Sequence, residues 1–160
     1  MKLSEIAEFV VEKYPDCCMA VNNVVSKGCR EEWYEEYLIN ALIDFFSFEI
    51  MDMCGCGCPE YTNELIRKIL IIRFEWWDEK FSYDDVIKRY KTDLDLYNEN
   101  DNHYGALQFI LYMLDAHGIV EHGSSIGGCW LTDLGKMYLT VLNAWHDREE
   151  KEKKETGDLD

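Results

Sequence analysis

Apolar positions along this chain recur mostly three and four residues apart, the spacing of one face of an α-helix. Leu3, Ile6, Ala7, Val10, Val11 and Tyr14 predict a short amphipathic first helix, with Ser4 as its cap and Pro15 as its stop. Positions 16–30 mix apolar residues with Asn22, Asn23 and Gly28, a pattern that predicts a short helix followed by a loop. From Glu31 onward Trp33, Tyr34, Tyr37, Leu38, Ala41, Leu42, Phe45 and Phe46 predict a long helix with a wide apolar face. Two glycines within Cys54-Gly55-Cys56-Gly57-Cys58 end that helix, and Pro59 suits the first position of the next. Leu65, Ile66, Ile69, Leu70, Ile72, Trp76 and Trp77 make this next helix apolar on more than one side, as expected of a central core element.

Ser82 followed by Asp85 resembles a capping box and predicts a short helix over Tyr83–Lys91, with Val86, Ile87 and Tyr90 inward. Positions 92–102 are polar and predict a loop. Leu107, Ile110, Leu111 and Leu114 then share one face of a helix over Tyr104–His117, closed by Gly118. Ile119–His122 and Cys129–Leu131 read as two strands around a glycine- and serine-rich turn. Thr132 caps a last helix from Asp133 to about Trp145. The charged stretch from His146 onward predicts a frayed or disordered tail. The expected fold class is therefore mainly α: an N-terminal helical region over 1–58, a domain with a small two-stranded β-hairpin over 59–145, and a charged tail over 146–160.

The order helix, short helix, helix, strand, turn, strand, helix over about Glu60–Leu142 resembles winged helix-turn-helix domains, especially those related to MarR and PadR regulators. Leu114-Asp115-Ala116-His117-Gly118-Ile119-Val120-Glu121 is similar to the end of a recognition helix entering the first wing strand. Trp130-Leu131-Thr132-Asp133-Leu134-Gly135-Lys136 is similar to the step from the second wing strand into the final helix. The resemblance implies that the helix His103–His117 would face the major groove, with basic residues there and on the wing touching phosphates.

Charge departs from that pattern. Asp and Glu number 32 against 16 Lys and Arg, a formal net charge of -16. Between Lys91 and Lys136 there is no Lys or Arg, whereas Asp93, Asp95, Glu99, Asp101, Asp115, Glu121 and Asp133 all fall there. Phosphate neutralisation by Lys and Arg supplies most nucleic-acid affinity, so this segment is unsuited to reading DNA, although Asn100, Asn102 and Gln108 could address base edges. The first turns of the long helix add Glu31, Glu32, Glu35 and Glu36, where the helix dipole favours acids.

Seven cysteines without a secretion signal lead us to expect reduced thiols. Cys54, Cys56 and Cys58 admit two readings: a tight glycine turn with small thiols between core helices, or ligands for zinc or another thiophilic metal. No second well-spaced pair completes a zinc set, so no cofactor is expected. The four histidines stand in unrelated contexts and no hydrolase, metalloprotease or phosphate-loop motif is present, so the chain is not expected to be an enzyme. No stretch is apolar enough for a membrane helix, and a cytoplasmic protein is expected.

Small size, acidity and the cysteine-glycine turn resemble small acidic phage and prophage proteins, among which anti-CRISPR and other anti-defence inhibitors occur. That resemblance implies an inhibitor acting in the host cytoplasm by nucleic-acid mimicry, with a CRISPR effector nuclease or another protein of basic surface as partner. Its expected contact residues are Glu31, Glu32, Glu35, Glu36, Asp93, Asp95, Glu99 and Asp101. The alternative is a winged-helix transcription regulator, dimeric through its first and last helices, with a metal or redox sensor in the cysteines.

Overall fold

A computed structural model describes residues 1–16, 19–26, 31–53, 59–90 and 103–157, without the side chains of 19, 31–33, 59–61, 103 and 104. Seven α-helices and one two-stranded antiparallel sheet make up this mainly α protein among the described residues. The chain divides into two compact units, Met1–Cys58 with Thr140–Asp160, and Pro59–Leu139.

The first unit contains α1 (Leu3–Lys13), α2 (Met19–Ser26) and α3 (Glu31–Asp44). Helix α1 starts two residues earlier than the Ser4 cap implies: Lys2 is the cap residue, and its backbone N–H donates to the Glu5 carboxylate at 2.8 Å. An acid three residues into the helix satisfies an orphan donor as well as a hydroxyl would. Ile6, Ala7 and Val10 point into the core, against Val21 of α2 and Leu38, Ile39, Ala41 and Leu42 of α3 in the same unit. Tyr37, expected inward, faces solvent.

The long helix read from Glu31 is not α-helical to its end. After Asp44 it widens into a π-helical turn, Phe45–Ile50, which Met51 closes by donating its N–H to the Phe46 carbonyl five residues back at 2.9 Å. The extra residue per turn lets three successive side chains, Phe45, Phe46 and Ser47, all be buried, which regular α-helical spacing rarely permits. Tyr14 and Phe45 stack with ring centroids 5.3 Å apart, tying α1 to this turn.

In the second unit α4 (Pro59–Trp77) is the core helix that the sequence implies, burying Ile66, Ile69, Leu70 and Ile72. Helix α5 (Tyr83–Tyr90) is capped by Ser82, whose hydroxyl accepts the Asp85 N–H at 3.3 Å. Helix α6 (His103–Ala116) ends in a Schellman closure. There Gly118 takes φ +76°, the Ile119 N–H donates to the Leu114 carbonyl at 2.9 Å, and the Gly118 N–H donates to Asp115 at 3.1 Å.

Strands β1 (Val120–Glu121) and β2 (Trp130–Leu131) pair antiparallel, Val120 against Leu131 and Glu121 against Trp130, around a short 3₁₀ turn at Ile126–Gly128. Thr132 caps α7 (Asp133–Thr156): its hydroxyl accepts the Gly135 N–H at 3.0 Å and donates to the Gly118 carbonyl at 2.5 Å. One side chain thereby joins the end of α6 to the start of α7. Gly135 is required beside it, because a Cβ there would lie 2.1 Å from the Ile119 carbonyl oxygen.

The expected tail is helix. Helix α7 continues unbroken to Thr156, eleven residues past Trp145. Lys151–Glu155 and Glu150–Lys153 pairs at 4.0 and 3.7 Å support the extension on its exposed face. No helix among the described residues is long and apolar enough to cross a membrane.

Candidate functional site

Two surfaces, one in each unit, carry features that point to binding. In the first unit, α3 and the C-terminal half of α7 flank a cleft of about 510 Å³. Glu35 and Glu36 line it from α3, and Asp147, Glu152 and Glu155 from α7, above a small apolar floor of Ile39 and Ala144. Arg148 and Lys151 are its two cations. Arg148 is committed to structure: its guanidinium donates to Asn40 Oδ1 at 2.7 Å and to the Glu36 carbonyl at 3.4 Å, and reaches Glu149 at 3.4 Å. Lys151 stands 4.0 Å from Glu155. The carboxylates therefore outnumber the cations, and one of the two cations acts as a strut.

Of the acids named from sequence, Glu35 and Glu36 are exposed and belong to this cleft. Glu31 and Glu32 lie on the first turn of α3, and their side chains are outside the described residues, as are Asp93, Asp95, Glu99 and Asp101. The wall formed by Asp147, Glu152 and Glu155 lies in the stretch expected to be a frayed helix end or disordered, and here it is continuous helix. Its signal was present in the four-residue spacing of Asp147, Lys151 and Glu155, which puts all three on one face of a helix.

The second unit presents α6 and the hairpin. The inward face of α6 is Leu107, Leu111 and Leu114, whereas Ile110, also expected there, is only half-buried. Its outward face is apolar too: Phe109 is 72% exposed and Tyr112 54%, and Gly105, Ala106 and Ala116 beside them are also exposed. Gln108, a candidate base reader, is only half-exposed. Near this face stand Asp115 and Glu121. Asp115 lies 3.7 Å from His122 Nε2, and Glu121 accepts the Trp130 indole N–H at 2.9 Å across the hairpin.

Behind the hairpin, Arg73 of α4 is only 1% exposed. Its guanidinium donates to the Gly127 carbonyl and lies 5.7 Å from the Trp76 ring centroid. Its Nε has no hydrogen-bond partner among the described residues. The buried arginine so pins the turn between the two strands to the core helix. Trp76, Trp77, Tyr83 and Trp130 form an aromatic cluster, with centroids 4.9 Å apart for Trp76–Trp77, 4.7 Å for Trp76–Tyr83 and 5.6 Å for Trp77–Trp130. Trp77, expected in the core, lies at the surface, where Trp77, Trp130 and Leu131 adjoin the Asp78–Lys136 ion pair at 2.9 Å.

Cys54, Cys56 and Cys58 are outside the described residues, and among those described no group of His, Cys, Asp or Glu is placed to hold a metal ion. Cys129 is free and fully buried, and burial pushes its thiol above the ordinary value despite the nearby Arg73. A protonated thiol without access to solvent is a poor nucleophile. No protein-family model, curated protein or solved structure matches the chain.

Proposed function

We propose that this chain acts by protein contact, as an acidic inhibitor that occupies a basic, nucleic-acid-binding surface of a partner enzyme. The observation that carries the reading is the outward surface of α6 and the hairpin. In a winged helix that surface would meet phosphate, yet from His103 to Gly135 it holds no Lys or Arg and instead exposes Phe109, Tyr112, Asp115 and Glu121. Without cations there is no counterion release to drive DNA binding. The acidic cleft of α3 and α7 supports the same reading, since a carboxylate-lined groove attracts basic side chains and repels nucleic acid.

The element order α4, α5, α6, β1, β2, α7 supports a winged-helix scaffold reused for protein recognition. A nuclease of the CRISPR effector type is the partner that the sequence resemblance implies. Retention of such nucleases on the immobilised protein is expected at low salt and should fall as ionic strength rises from about 0.05 to 0.5 M. No retention, or retention indifferent to salt, would overturn the proposal. The competing reading, a regulator that reads DNA, requires instead that the protein shift duplex DNA in a gel at physiological salt.

A further inference from the structure

The outward face of α6 follows a pattern of its own. Gly105, Phe109, Tyr112 and Ala116 are spaced four, three and four residues apart, which is the seam of a helix that packs along another helix. The order is small, aromatic, aromatic, small, and it reads the same in both directions. An antiparallel pair of such helices, related by a twofold axis between positions 109 and 112, sets Phe109 of one copy on Tyr112 of the other. The same axis sets Gly105 opposite Ala116, where small side chains let the helix ends approach. A seam that complements itself under a twofold axis is what an isologous homodimer contact requires.

We propose that the chain self-associates through α6, with a second copy as the occupant of this face. The four seam residues are uncharged, while Asp115 and Glu121 stand beside the seam and each copy carries -16 overall, so like-charge repulsion opposes the contact at low salt. Area sets the strength. Aromatic side chains bury roughly 150–250 Å² each, so Phe109 and Tyr112 offer about 300 Å² per copy against the ~800 Å² per partner of a standard interface. The contact is therefore small, and the dimer forms only at high protein concentration.

This contact differs from the dimer through first and last helices that the regulator reading implies, and it does not depend on the inhibitor reading. The two respond oppositely to salt. Screening weakens attraction to a basic partner but relieves repulsion between like-charged copies, so dimerisation strengthens as salt rises.

Sedimentation equilibrium of the full chain under reducing conditions, from about 10 µM to 1 mM, tests the proposal. A monomer–dimer equilibrium is expected, tightening severalfold in higher salt. Phe109→Asp with Tyr112→Asp should abolish it, and Phe109→Ser alone should weaken it at least tenfold. Both side chains lie outside the core, and an unchanged circular dichroism spectrum and unfolding midpoint would show that the variants remain folded. A monomer at every concentration and salt, or a dimer that persists in folded variants, would overturn the proposal.

Discussion

At the scale of single residues, the junction of α6, the hairpin and α7 depends on three side-chain choices that physical chemistry explains. Gly135 leaves room for the Ile119 carbonyl, so Gly135→Ala should cost at least ~2 kcal/mol, seen as a lowered urea midpoint. Thr132→Ala removes the cap and the link to Gly118, and should cost about 1–2 kcal/mol. Arg73 differs in kind. Its buried charge has no carboxylate partner in the described hydrogen bonds and ion pairs, so the shape-preserving Arg73→Met should be tolerated better than Arg73→Ala, which opens a cavity behind the Gly127 turn.

Tyr90 provides a pH test at the same scale. Burial, then the hydrogen bond to Glu75 at 2.8 Å, pushes its hydroxyl from 10.0 up to about 12. The folded state favours the protonated phenol. Its contribution to stability is thus whole below pH 10.0 and is lost as pH rises toward about 12. Tyr90→Phe should remove that part of the alkaline loss, measured as unfolding free energy against pH. Cys129 shifts in the same direction through burial and should be alkylated more slowly in the native protein than after unfolding, read by peptide mass mapping.

At the scale of elements, much of the fold was legible because local chemistry and periodicity agree. Pro59 opens α4, where a missing N–H costs nothing, and Ser82 opens α5, Gly118 closes α6 and Thr132 opens α7 through the hydrogen bonds their residue types suggest. The π turn was not legible, since Phe45, Phe46 and Ser47 look like ordinary helix continuation until the depth of the surrounding core is known. The tail is firmer than the frayed helix end or disorder its charge density suggests, because its spacing supports i, i+4 pairs and its Arg148 has bonds awaiting it on α3. Arg148→Ala should therefore destabilise the chain by about 1–2 kcal/mol, and Lys151→Pro should lower helical circular dichroism, which a disordered tail would not do. The outward aromatic pair on α6 lies off the Leu107–Leu111–Leu114 face, but only its exposure shows that no other element covers Phe109 and Tyr112.

At the scale of the whole molecule, the acidic excess acquires places. Glu35 and Glu36 gather with Asp147, Glu152 and Glu155 around one cleft, while α6 contributes apolar surface and the hairpin a carboxylate. Half the acids singled out from sequence, at positions 93–101, lie outside the described residues. Solubility would explain a net charge of -16, but not the clearing of every cation from the stretch between Lys91 and Lys136. This clearing should exclude DNA and admit a protein that binds DNA. The most direct measurement is a gel shift with duplex DNA and a basic nuclease, with and without this protein, at physiological salt. No shift of DNA is expected with the protein alone, and DNA should be released from the nuclease as the protein is added. A direct shift of DNA by the protein, with the nuclease complex untouched, would contradict the inhibitor reading.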